Sequence, residues 1–162
     1  MVWQWLLQPE RRCRSAGLRA LSIVEVEYRH DKFLPFVVEA LHDRENFLKY
    51  NALSVLQGGA YPHLMDEVIK LAKSSDDPAR GPALRVLGGY RDDKVIPLLR
   101  DALLDKEYGV CRSAADALAL LGTASARSVL EEYASTGTGF VTDECRRVLK
   151  EMAATPRTTP QN

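Results

Sequence analysis

Histidine, cysteine and arginine are the side chains of this 162-residue chain best equipped for chemistry, so their spacing is the first question. The histidines are His30, His42 and His63, and two precede aspartate, in His30-Asp31 and His42-Asp43. A metal site needs three or four such ligands converging on one point, and no further cluster accompanies either pair. Asp43 and Asp105 fall instead in turn segments, where a short acidic side chain caps the helix that follows. Cys13, Cys111 and Cys145 cannot all pair within one chain and form no CxxC step, which reads as reduced thiols in a cytoplasmic protein. Cys111 is expected to be partly exposed and Cys145 to be core, and no histidine stands near either to activate a thiolate. The pairs Gly58-Gly59 and Gly88-Gly89 lack the GxGxxG spacing of a phosphate loop and read as helix stops. No catalytic residue, cofactor or metal ligand is expected, and the chain reads as a non-enzyme.

The arginines make sense only once the elements carrying them are placed. Leu56, Leu87, Leu118 and Leu149 recur every 31 residues. Ala52, Ala83, Ala114 and Cys145 lie four residues upstream of them, and Val37, Val68, Leu99 and Leu130 nineteen upstream. A fixed period of this length marks stacked two-helix units, none able to bury its apolar face alone. Each unit holds two stretches with helical i, i+3, i+4 spacing. First helices are predicted over 33–41 and 95–103, with Pro35 and Pro97 in the first turn where a missing N–H costs little. Second helices are predicted over 48–56, 79–87, 110–121 and 141–152. A partial unit precedes them, 13–21 matching 110–118 in type at a spacing four residues longer. The small column Gly17, Ala52, Ala83, Ala114, Cys145 lets neighbouring helices approach closely.

The segment Val110-Cys111-Arg112-Ser113-Ala114-Ala115-Asp116-Ala117-Leu118-Ala119-Leu120-Leu121-Gly122 resembles the second helix of a HEAT-like repeat, of the short kind first described in bilin lyases. Arg14, Lys49 and Arg80 fill that family's arginine column, whereas Cys111 and Thr142 depart from it. The resemblance covers roughly 31–150. It implies an all-α fold, a right-handed α-solenoid (α-α superhelix) of about four and a half helical hairpins, with second helices lining the concave face. The expected division is a single domain over 1–152, with a partial unit 1–30, units 31–61, 62–92, 93–123 and 124–152, and a flexible tail over 153–162. Polar Arg127 and Glu131 in apolar columns mark the last unit as a cap. Trp3, Trp5, Leu6 and Leu7 are expected to cover the first helix face. With both ends capped, the chain reads as a whole protein. His-Glu steps like those of iron-binding HEAT-like hydroxylases are absent.

Basic and acidic residues balance at 22 each, which gives no overall field toward nucleic acid or anionic lipid. No apolar run reaches membrane-spanning length. Arg11, Arg12, Arg14 and Arg19 against Glu10 faintly resemble a mitochondrial transit peptide, yet 13–21 reads as a repeat helix. The outward column of the second helices is Arg19, Ser54, Arg85, Asp116, Arg147; the aspartate interrupts what a phosphate-tracking groove would need, although some DNA glycosylases use HEAT-like stacks. What remains is a surface. Partner-binding candidates are Tyr50, Arg85, Arg112, Asp116 and Arg147 on the second helices, with Tyr61, Tyr90 and Arg91 in the loops between units. Tyrosine and arginine anchor interfaces because they bury area while keeping polar contacts. The expected function is non-catalytic binding of another protein, as a bacterial adaptor or a toxin-neutralising immunity protein. A bilin lyase or isomerase-like activity, or nucleic-acid binding, is the alternative.

Overall fold

The computed structural model describes residues 2–7, 10–23, 31–59, 61–75, 77–136 and 139–154. His30, the link 24–30 and the tail from 155 to 162 lie outside them. Two helices open the chain, α1 (Val2–Leu6) and α2 (Arg11–Ile23). Four helical hairpins follow: α3 (Leu34–Leu41) with α4 (Asn46–Val55), α5 (Met65–Lys73) with α6 (Arg80–Gly89), α7 (Ile96–Leu103) with α8 (Tyr108–Leu121), and α9 (Ala124–Thr136) with α10 (Phe140–Ala154). No strand occurs among the described residues. The all-α solenoid expected from the period is the fold observed.

The sequence columns are the core. Ala52, Ala83, Ala114 and Cys145 are fully buried, as are Leu56, Leu87 and Leu118 and the first-helix column Val37, Val68, Leu99 and Leu130. A short 3-10 turn leads into α3, α5 and α7, and Pro35 and Pro97 occupy the first turn where no hydrogen bond is lost. Second helices pack successively on one another, α2 on α4, α6 on α8, α8 on α10, while first helices touch only lightly. Close spacing along one row and wide spacing along the other curve the stack, with the second helices on the inside.

Polar groups tie unit to unit. Asp43 Oδ1 accepts the Glu45 N–H at 2.9 Å, Asp77 Oδ1 the Ala79 N–H at 2.8 Å, and Asp105 Oδ1 the Glu107 N–H at 2.8 Å. Each forms an Asx turn that leads into a second helix, rather than the cap expected, because the bonded N–H belongs to the N-cap residue itself. The other oxygen faces a cation from the preceding unit: Arg14 at 4.0 Å from Asp43, Lys49 on Asp77, and Arg80 at 2.5 Å from Asp105. Arg14, Lys49 and Arg80 are the arginine column of the sequence, and the ladder they form is what that column does. Burial pushes the Asp77 carboxyl up, but Lys49 and the Ala79 amide outweigh it and hold it below the usual range. The Glu107 amide, with Arg80, likewise holds Asp105 low.

Several details differ from expectation. Gly88 and Gly89 are not a stop, because both lie within α6 in helical conformation. Their size matters instead: a Cβ on Gly88 would lie 2.4 Å from the Ala117 carbonyl oxygen, so α6 and α8 meet backbone to backbone. True left-handed stops are Gly58 (φ 74°), Gly59 (φ 78°) and Gly122 (φ 67°). Cys111 is buried rather than partly exposed, because it shares the inward stripe of α8 with Ala114, Ala115 and Leu118. At the N-terminal end Leu6 is buried and packs onto Gly17, while Trp5 and Leu7 are exposed; the Trp3 side chain lies outside the described residues. On the last hairpin Arg127 and Glu131 are exposed and pair at 2.8 Å.

A candidate binding cleft on the inner face

The inner face has one irregular step. α4 and α6 pack far more lightly than α2 with α4 or α6 with α8. They meet at their C-terminal ends, where the turn Gln57–Gly59 lies against α6 and a Cβ on Gly59 would stand 2.5 Å from the Gly89 carbonyl oxygen. Beside this glycine contact lies a cleft of about 510 Å³ bounded by Tyr50, Ser54, Pro82, Arg85, Ser113 and Leu120. That volume falls in the range of ligand-sized pockets. Leu53 and Val86 form its apolar floor.

Tyr50 is exposed on α4, and its hydroxyl donates to the Pro78 carbonyl at 3.4 Å. Arg85 is the only charged residue bounding the cleft among the described residues, and its side chain is 60% exposed. Leu120 is also solvent-exposed. Sequence reasoning missed Leu120 although a signal existed. It stands in the column of Gly58 and Gly89, one and two periods upstream, where an apolar side chain has no core to enter.

Only some of the expected site residues come together. Tyr50 and Arg85 share the cleft. Asp116 and Arg147 lie beside it, locked to each other: Arg147 Nη2 donates to Asp116 at 2.7 Å, Nε to Glu144 at 2.7 Å, and Nη1 to Glu151 at 2.9 Å. Arg85 Nε stands 4.0 Å from the same Asp116. The aspartate that breaks the arginine row in the sequence is therefore its bridge in three dimensions. Burial works against the charge on Arg147, but its acidic partners outweigh that and hold its pKa above the ordinary range. Glu144 is buried, which pushes its carboxyl up, yet the Tyr108 hydroxyl at 2.5 Å and Arg147 hold it low. Arg112 is exposed on α8, outside the cleft, with its charge felt by Tyr108 and Glu144. Arg91 is exposed in the loop after α6, with left-handed backbone at φ 54°.

Tyr61 and Tyr90 require correction as loop anchors. Tyr61 is 8% exposed: its own left-handed φ of 57° turns the ring into the core ahead of Pro62. Tyr90 is half-buried with its hydroxyl sealed from solvent, and burial pushes that phenol up to about 12. Both rings shield helix ends. Of the residues that suggested chemistry, His42 Nε2 meets Glu67 at 3.0 Å while Asp43 forms the turn ahead of α4. Cys111 and Cys145 are buried, and desolvation raises each thiol to about 11. Among the described residues no three His, Cys, Asp or Glu side chains converge as metal ligands, and no helix is long and apolar enough to cross a membrane.

Comparison with known proteins agrees with this architecture. A family described as HEAT repeats matches residues 65–150, that is 86 of 162 positions. The crystal structure of an engineered protein superposes over 94% of this chain and 78% of its own, with a TM-score of 0.59 at 18% identity, a likeness of fold. Computationally designed armadillo repeat proteins for modular peptide recognition align over 92% of this chain and 97% of theirs at 15% identity, with a TM-score of 0.37. No curated protein matches the sequence.

Proposed function

Because the chain belongs to the HEAT repeat family, we propose that it is a non-catalytic module that seats a partner protein on its inner face. The observation that carries this reading is the α4–α6 cleft, where an apolar floor, an exposed tyrosine and a single exposed arginine face outward together. An anchor residue entering such a depression is desolvated on several sides, which is what makes a few interface positions dominate binding. Five second helices at about 8–10 Å spacing span roughly 40 Å, enough for the roughly 800 Å² a stable partner covers. The buried, high-pKa thiols of Cys111 and Cys145 and the turn-forming role of Asp43 are structural and support a non-catalytic reading. An adaptor, or an immunity protein that covers a toxin's active site, is the role this surface suits.

Site-specific photo-crosslinking tests the reading. A benzoylphenylalanine at Ser54, in the cleft wall, should capture a discrete partner in the native cell. The same group at exposed Glu39 on α3 should not. Crosslinks at position 39 with none at 54 would place binding on the outer row.

A further inference from the structure

A second depression of about 470 Å³ lies next to the cleft on the same face, between α2 and α4, bounded by Arg19, Ile23, Asn51 and Ser54. Ser54 on α4 bounds both hollows, so the two lie side by side as a discontinuous trough, and a segment crossing α4 from α2 to α6 would pass over both. Its charge is one-sided. Among the described residues, Arg19 and Arg85 are the charged side chains that bound it, and no carboxylate does. Asp116, the acid nearest Arg85, is 4.0 Å away and already held at 2.7 Å by Arg147. Arg19 is exposed and forms no ion pair with the described residues. Apolar surface flanks this charge, with Ile23 84% exposed at one end and Leu120 51% at the other.

Resting on the inner-face reading above, we infer that the trough takes an extended acidic segment of the partner protein. Two of its carboxylates meet Arg19 and Arg85, and an apolar side chain enters between Tyr50 and Leu120. Arg19 and Arg85 stand on helices two steps apart, roughly 20 Å at ordinary helix spacing. An extended strand rises about 3.3 Å per residue, which sets the carboxylates about six residues apart. Guanidinium groups recognise carboxylates through paired, charge-assisted hydrogen bonds. A nucleic acid is the poorer fit. Its phosphates need basic groups along the whole path, whereas this trough has two arginines, no lysine and apolar walls.

Fluorescence anisotropy at low ionic strength gives the test. The probe is a fluorescein-labelled serine-rich dodecapeptide with two glutamates six residues apart and a leucine beside the second. It should bind at least about tenfold more tightly than its twin with glutamine at both positions. The double variant R19E/R85E should lose that preference and favour the lysine version, while R127E on α9 should behave as wild type. All three proteins should share one thermal unfolding midpoint, since the exchanged side chains are exposed. Equal affinity for the glutamate and glutamine peptides, no binding of either, a loss as large in R127E, or tighter binding of a twelve-nucleotide oligothymidylate would each overturn the inference. None of these outcomes touches the crosslink at position 54, which tests the inner face itself.

Discussion

Gly88→Ala probes the tightest contact in the stack. The new methyl would lie 2.4 Å from the Ala117 carbonyl oxygen and 2.8 Å from the Ala117 Cα, both backbone atoms of α8 that cannot rotate aside. α6 and α8 must separate, opening the core around Ala83, Ala114 and Leu118. Overpacking of this kind costs about 1–3 kcal/mol. Alanine's advantage over glycine inside a helix offsets about 0.5–1 kcal/mol of it. Because both clashing atoms are backbone, the upper half of the overpacking cost applies, so the net expectation is a loss of about 1–2.5 kcal/mol, or a melting point lower by roughly 2–10 °C for a chain of this size. Gly109→Ala is the matched control, since a Cβ there meets nothing within 4 Å and the residue lies in the first turn of α8. That variant should gain up to about 1 kcal/mol from helix propensity. Urea unfolding followed by circular dichroism at 222 nm separates the two. A Gly88→Ala protein as stable as wild type, beside a stabilised Gly109→Ala, would refute the backbone-to-backbone contact of α6 with α8.

Arg147→Glu should lower the melting point by several degrees, because it leaves buried Glu144 with Tyr108 as partner and sets a further carboxylate beside Asp116 and Glu151, a change of about 1–3 kcal/mol. Arg85→Glu should shift it by less than about 1 °C, since that side chain is mostly solvated. Stability should hold at neutral pH and fall in acid: Asp77, Asp105 and Glu144 have folded pKa values below the ordinary 3.8 and 4.5, so their contribution is complete above those values and lost as pH drops through the depressed ones. A melting point that rises on acidification below pH 4.5 would contradict the sign. With a thiol reagent at pH 8, one cysteine should react quickly in the folded protein, the partly exposed Cys13, and Cys111 and Cys145 only after denaturation.

The leucine and small-residue columns were legible because burial in a stack repeats with the unit, so four copies report one environment. The turn aspartates were legible as turn formers, though they sit two residues ahead of the N-cap rather than capping the helices themselves. Their pairing with Arg14, Lys49 and Arg80 was not, because the partner lies one unit away at spacings that vary from 25 to 29 residues. Arg147 and Asp116 are one period apart in one column, so opposite charges there had to be neighbours. Reading each arginine as a separate surface group hid that. Tyr61 misled because its burial follows from a left-handed φ that no residue type announces. The cleft was beyond reach of the sequence, since it depends on how α4 sits against α6 beside the Gly59–Gly89 contact. Leu120, in a glycine column, was its one visible trace.

Amide hydrogen exchange of the complex with the captured partner tests the inner-face claim most directly. Slowed exchange should concentrate at 50–58 on α4 and its turn and at 82–89 on α6, with α3, α5, α7 and α9 unchanged. Protection confined to those four outer helices would contradict it.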